Sequence, residues 1–218
     1  MKREQLPSYY PVFLNISGKR CVVVGGGQVA RRKVKALLEH GASVEVISPD
    51  LCFELKQLVE SRTINVRNRE YQAGDLKDAF VVIGATSDSE TNIKVAAEAQ
   101  ENGLLVNVAD DARSSNFVFS SYLRRGDVTV AVSTAGRSPA LARRIRTKLE
   151  KDFGDEYASL AILVDEVRAE VKRQGIKVNG NSWQEALDLD LLVDLVRRGD
   201  NEKAMGIILS RLKGQQKY

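Results

Sequence analysis

The run Cys21-Val22-Val23-Val24-Gly25-Gly26-Gly27-Gln28-Val29-Ala30, followed by Arg31-Arg32-Lys33-Val34-Lys35-Ala36-Leu37-Leu38, reads as a buried strand, a glycine turn and a helix. Each small residue has a task there. Gly25 lets the strand turn sharply, Gly27 lets backbone N–H groups come close to an anion, and Ala30 is small enough for the helix to pack on the strand. A helix starting near Gln28 directs its unpaired N–H groups and positive dipole end at the same place. This is where a dinucleotide pyrophosphate sits. A glycine turn without a ligand is the bland alternative, but the context argues against it: β-branched residues precede the turn, Leu37 and Leu38 give the helix an apolar stripe, and Gly41 ends it before a second strand at Val44-Glu45-Val46-Ile47.

Outward from this unit, strand-like segments near 20–24, 43–48, 64–67, 79–84 and 104–109 alternate with helical ones near 28–40, 50–61 and 88–102. That order predicts an α/β fold, a Rossmann-like doubly wound parallel sheet. A residue in Ser87-Asp88-Ser89 caps the third helix and Gly103 ends it. After residue 110 the pattern changes: Asp127 to Ser133 alternates as a strand, and a helix runs from Ser138-Pro139 to Phe153. Beyond Gly154 the chain reads as wholly helical, with a stripe at Tyr157, Leu160, Ala161, Val164, Val167 and Val171. Gly175 stops this helix, Asn181-Ser182 caps the next, and Gly199-Asp200 separates the last two. The expected organisation is a nucleotide-binding domain over 1–111, a segment over 112–153 and a helical domain over 154–218.

Composition limits the classes of function. Hydrophobic residues at 43% and charged residues at 28% of 218 are those of a soluble globular chain, and the longest apolar runs are of strand length, so no membrane span is expected. The N-terminus lacks the apolar stretch of a secretory signal, and two cysteines, Cys21 and Cys52, make neither a disulfide framework nor a metal site. Both features predict a cytoplasmic protein with reduced thiols. His40, the single histidine, sits at a helix end where it complements the dipole, and no metal site is expected. The net charge of +4 is modest, but Arg137, Arg143, Arg144, Arg146 and Lys148 crowd together. They form either a solvated helix face or a site for an anionic partner. No helix-turn-helix, zinc-finger or RNA-recognition signature points to nucleic acid.

Ligands of open α/β sheets bind at the carboxyl ends of the parallel strands, where Ser48, Thr86, Asn107 and Asp110 fall. Thr86 and Asn107 fit either a cofactor contact or the satisfaction of local turn backbone, and Asp110 either chemistry or a turn cap for Asp111 to Ser115. About 20 positions past the glycines the chain has Ser48-Pro49-Asp50, with no Arg or Lys to hold a 2′-phosphate, which favours NAD as the cofactor; Asp50 as a helix cap is the alternative.

Five blocks then carry a resemblance. Tyr10-Pro11-Val12-Phe13-Leu14, Val23-Val24-Gly25-Gly26-Gly27, Ala85-Thr86-Ser87-Asp88 with Asn92, Val106-Asn107-Val108-Ala109-Asp110-Asp111, and Ser133-Thr134-Ala135-Gly136-Arg137-Ser138-Pro139-Ala140-Leu141-Ala142 resemble the precorrin-2 dehydrogenase family, over roughly residues 10 to 150. The resemblance implies NAD-dependent oxidation of precorrin-2 to sirohydrochlorin on the way to sirohaem or a cobalt corrinoid, with the aspartate matching Asp110 as general base. It also implies a cofactor along the glycine turn, Gly25, Gly27 and Ala30 included, and along Gln28, Val29, Pro49 and Asp50, beside the strand-end residues Ser48, Thr86 and Asn107 already singled out. The segment after the nucleotide domain is expected to build a homodimer, and the helical domain to close the site. Where the family has a second glycine and a proline, this chain has Ala135 and Ser120. Because the implied substrate is a tetrapyrrole ringed by carboxylates, the basic cluster gains a ligand, with Arg137, Ser138, Arg143 and Arg144 as its candidate contacts. A metal chelatase acting on the product, or both activities together, is the second reading. A nucleotide-sensing module without catalysis is a distant third, since a sensor needs neither a base nor a polyanion site.

Overall fold

Valine and isoleucine build the sheet. In the computed structural model, which describes residues 8–109 and 111–214, β1 (Arg20–Val24) is buried at every position after Arg20, as a central strand covered on both faces requires. It pairs in parallel with β2 (Ser43–Ile47) on one side and β4 (Val81–Gly84) on the other. β3 (Asn65–Arg67) and β5 (Leu105–Val108) complete a five-stranded parallel sheet in the order β3-β2-β1-β4-β5. The order reverses between β1 and β4, and this switch point opens a crevice at the carboxyl ends of the strands. The crossovers are α1 (Gln28–Leu38), α2 (Phe53–Glu60) and α3 (Ser89–Glu101). Cys21 and Val23 face the core shared with α1 and α2, while Val22 and Val24 face the core shared with α3. Each of Val34 and Leu37, buried on α1, contributes roughly 1.5–3 kcal/mol. Burial also pushes the Cys21 thiol up to about 11, so it stays a protonated core residue.

Two devices finish the sheet. On the β3 side, Glu45 accepts hydrogen bonds from Arg20 and Arg67, and Asp75 from Arg67 and Arg69. The Arg69 guanidinium foremost, helped by the Gln72 N–H and Arg67, holds the Asp75 carboxyl down at about 2. On the β5 edge, the Asn116 side chain accepts from the Val106 N–H at 2.8 Å and donates to the Leu104 carbonyl at 2.8 Å, and Ser115 Oγ accepts from the Val108 N–H at 2.9 Å. Side chains thus satisfy backbone groups that an edge strand would leave open.

The chain divides between Phe119 and Ser120 into two compact units. The second begins with an antiparallel hairpin, β6 (Ser121–Arg125) and β7 (Val128–Val132), against which α4 (Pro139–Asp152) packs. Sequence reading finds β7 but not β6, because Ser121-Tyr122-Leu123-Arg124-Arg125 buries only Leu123 and shows little apolar alternation. The two-residue Gly126-Asp127 connection, with Gly126 at φ +55°, is the hairpin signal that was there to read. Ser138 caps α4 by accepting from the Leu141 N–H at 3.2 Å. Four further helices, α5 (Glu156–Arg173), α6 (Gly180–Ala186), α7 (Leu189–Arg197) and α8 (Asn201–Gly214), share a core around Leu160, Val167, Leu192 and Ile208. One expectation is corrected: Asn179, not Asn181-Ser182, caps α6. Its extended backbone leaves its side chain free to accept from the Ser182 N–H at 2.9 Å, while Asn181 and Ser182 already lie in the first turn. No helix among the described residues is long and apolar enough to cross a membrane.

Candidate functional site

The three glycines after β1 have different surroundings. Gly25 stands at φ +122°, and a β-carbon there would lie 2.4 Å from the Ala85 carbonyl oxygen. One at Gly26 would lie 1.9 Å from the Asp50 carbonyl oxygen, and the Cys52 N–H donates to the Gly26 carbonyl at 2.8 Å. Gly25 and Gly26 are therefore wedged between the chain leaving β4 and the chain leaving β2. Gly27 meets nothing within 4 Å. It is the N-cap of α1, with extended backbone, no side-chain cap and no acidic residue in the following turn. Among the described residues the first N–H groups of α1 thus lack a side-chain partner beside open space, an arrangement that suits an anion. This cradle fits the pyrophosphate of a dinucleotide. Ala30 lies behind it, fully buried in the core.

A cleft of about 560 Å³ opens here, lined by Gly25 to Val29, by Ser48, Pro49 and Asp50 after β2, by Ala85, Thr86 and Ser87 after β4, and by Ala109 after β5. A smaller hollow of about 150 Å³ shares Gly25, Ser48, Pro49 and Thr86 with it and adds Glu70, Tyr71, Asp88 and Thr91. Of the residues singled out in the sequence, Gly25, Gly27, Gln28, Val29, Ser48, Pro49, Asp50 and Thr86 meet at one cleft. Ser48 Oγ donates to the Asp50 carbonyl at 2.7 Å and so shapes the loop after β2. Thr86 Oγ1 accepts from the Asp88 N–H at 3.1 Å, a local turn role held alongside its place in the wall. Asp88 caps α3, and hydrogen bonds from the Thr91 hydroxyl and from the Glu90 and Thr91 N–H groups hold its carboxyl below the usual range.

Asn107 does not line this cleft. Its side chain is buried, donates to the Phe117 carbonyl at 3.1 Å and accepts from Lys33 Nζ at 3.4 Å. Asp110 lies outside the described residues. Both of its neighbours are described: Ala109 lines the cleft, and the Asp111 carboxylate accepts from the Arg113 N–H at 2.9 Å, the Ser114 N–H at 3.2 Å and Ser114 Oγ at 2.6 Å. These bonds, that from Ser114 Oγ foremost, hold the Asp111 carboxyl below its ordinary value. His40, after α1, has Nδ1 2.8 Å from the Ala36 carbonyl.

Three features of the site escape sequence reading. The packing of Gly26 on the Asp50 carbonyl depends on where the β2 loop returns, and Ser87 enters the wall by the same kind of tertiary accident. The third is Glu54, which joins the two helices at the cleft by accepting from Gln28 Nε2 at 3.4 Å and pairing with Arg31. Its position in the first turn of α2 was the available signal.

Arg137, Ser138, Arg143 and Arg144 belong to the second unit. Thr134 Oγ1 accepts from the Ser138 N–H at 3.1 Å and closes the turn before α4. Within that turn Ala135 and Gly136 both take positive φ, +51° and +80°, which is the backbone reason for a glycine at position 135 in the family pattern. Arg137, Arg143 and Arg144 are exposed and carry no ion pair among the described residues, whereas Arg146 is paired with Glu150.

Comparison with known proteins agrees with this geometry. Residues 12–121 match an NAD(P)-binding family model, and residues 125–151 match the central region of sirohaem biosynthesis proteins. The chain is 37% identical over 208 residues to the sirohaem synthase of Nitrosococcus oceani, covering 94% of this chain and 44% of that protein, and 37% identical over 182 residues to that of Photorhabdus laumondii, covering 83% and 39%. It thus spans less than half the length of these curated relatives. Among solved structures, SirC, a precorrin-2 dehydrogenase, superposes with a TM-score of 0.68 at 26% identity, covering 96% of this chain and all of that one. With its glycine turn at the head of the nucleotide-binding match and a sirohaem-type central segment after it, the chain belongs to the NAD(P)-binding family whose model covers residues 12–121.

Proposed function

We propose that this protein oxidises precorrin-2 to sirohydrochlorin with NAD as hydride acceptor. The observation that carries the reading is the cleft itself: an open, uncapped start of α1 at Gly27, walls from the loops after β2 and β4, and Ala109 immediately before Asp110. Gly27 and the first N–H groups of α1 hold the cofactor's pyrophosphate, while Asp50 receives the adenosine ribose. When bound, the nicotinamide supplies the electron-pair acceptor. Asp110 serves as the general base and accepts the proton that leaves the macrocycle. Support comes from Asp111, which already caps the turn and so removes that alternative duty from its neighbour. The guanidinium groups of Arg137, Arg143 and Arg144, without an ion pair among the described residues, bind the substrate's carboxylates together with Ser138.

We also read the protein as a cytoplasmic homodimer joined through the segment over 112–153. Tyr122, Leu141 and Ile145 leave apolar surface exposed there, and the cysteines are free thiols. Light scattering at micromolar concentration checks this; a lone 24.1 kDa species contradicts it. The deciding experiment for the activity is incubation with precorrin-2, with and without NAD and a divalent metal. NAD-dependent formation of sirohydrochlorin is expected. Metal insertion into sirohydrochlorin without NAD turnover would replace the dehydrogenase by the chelatase.

A further inference from the structure

The first turns of α1 and α2 meet at the mouth of the cleft. Gln28, part of its wall, donates to one carboxylate oxygen of Glu54, and Arg31, nearly one turn further along α1, is ion-paired with the other. The backbone fixes this meeting: Cys52, the N-cap of α2, donates its N–H to the Gly26 carbonyl, so α2 starts directly on the glycine turn. Asp50 lines the cleft two residues before that cap. Asp50 thus stands in the cleft wall and Glu54 beside it, bonded to the wall residue Gln28, with the guanidinium of Arg31 already engaged by Glu54.

We propose that Glu54 determines cofactor specificity: by pairing with Arg31 it withholds a guanidinium from a ribose 2′-phosphate, so the site takes NAD over NADP. The inference rests on the reading that this cleft binds a nicotinamide dinucleotide. A 2′-phosphate brings close to two negative charges and needs an Arg or Lys partner. A 2′-hydroxyl needs only an acceptor, which Asp50 supplies. Glu54 also adds its own negative charge to the approach of the phosphate. Its own backbone N–H, then Gln28 and Arg31, hold its carboxyl below the usual range. Because both partners are about two-fifths exposed, an ion pair there adds little to folding. A merely structural Glu54 would therefore affect both dinucleotides alike.

The test is calorimetric binding of NAD and NADP to the wild type, to Glu54→Gln, and to the double variant Arg31→Gln/Glu54→Gln, at low and high salt. Wild type is expected to bind NADP at least tenfold more weakly than NAD. Glu54→Gln keeps the size of the side chain and a partner for Gln28 but frees Arg31. It should strengthen NADP binding about two- to fivefold at low salt, the scale of one exposed charge pair, and leave NAD within twofold. The gain should shrink with salt and vanish in the double variant. Unchanged NADP affinity in Glu54→Gln with normal NAD binding overturns the proposal, as do equal shifts for both dinucleotides or a gain that survives loss of Arg31. A wild type that binds neither dinucleotide removes the nicotinamide reading, and this inference with it.

Discussion

Replacing the glycines one at a time should separate folding from binding. In Gly26→Ala the new methyl would lie 1.9 Å from the Asp50 carbonyl oxygen and 2.7 Å from Ser48 Oγ. The first of these is backbone, so the loop after β2 must retreat by more than 1 Å and strain the bond from the Cys52 N–H to the Gly26 carbonyl. Overpacking of this kind costs about 1–3 kcal/mol, and a weakened backbone hydrogen bond about 1 kcal/mol more. At about 2–4 °C per kcal/mol for a chain of this size, the melting temperature should fall by roughly 5–15 °C. Gly27→Leu is the opposite case. Nothing stands within 4 Å of its β-carbon, its φ of −85° is ordinary for any residue, and losing glycine as N-cap costs about 1 kcal/mol at most. The leucine instead occupies the approach to the first N–H groups of α1. A hydrogen bond to a charged group contributes about 1.5–3 kcal/mol, so loss of one or two weakens NAD binding by about 10- to 10⁴-fold. Thermal melts followed by fluorescence, together with calorimetric titration of NAD, give both quantities on the same samples. The reasoning is refuted if Gly27→Leu binds NAD like the wild type, or if Gly26→Ala melts like it.

Three further outcomes are expected. Asp110→Asn keeps the size of the side chain but cannot take a proton at neutral pH, so kcat should fall about 10²- to 10⁴-fold with NAD affinity unchanged; near-normal turnover would move the base elsewhere. Replacing Arg143 and Arg144 together by Ala should raise KM for the tetrapyrrole severalfold, less at high salt, with kcat nearly intact; an unaltered KM makes the cluster a solvated face. Asp75 titrates at about 2 instead of 3.8, so its contribution of about 2 kcal/mol is present above pH 4 and lost as pH falls through 2; acid unfolding followed by circular dichroism should show this loss, and Asp75→Asn should flatten that part of the profile.

What could be read from the sequence follows from what each feature depends on. The parallel sheet was legible because its determinants are local: the β-branched runs of β1 and β4, the glycines that end them, and the helical spacing of Ala30, Val34 and Leu37. The hairpin partner β6 was not, since a strand with a single buried residue owes its existence to β7 and α4 rather than to its own pattern. Asn179 and Asn181 are both competent caps by composition, and the choice between them turns on which residue keeps extended backbone.

The site divides along the same line. Residues that follow a strand directly, such as Ser48 and Thr86, could be placed from the topology of an open α/β sheet alone. Asn107 follows the same rule, yet its side chain is drawn to Phe117 and Lys33, because the 115–117 segment returns along the edge of β5 and needs a donor there. The arginines of α4 show how far local spacing can sharpen composition. Arg146 and Glu150 stand four apart and pair, a relation visible in the sequence, whereas Arg143 has Thr147 and Arg144 has Lys148 at that spacing. The pairing rule applied along the helix therefore separates one guanidinium spent within α4 from two left open to an anion, and it is those two on which the substrate assignment depends.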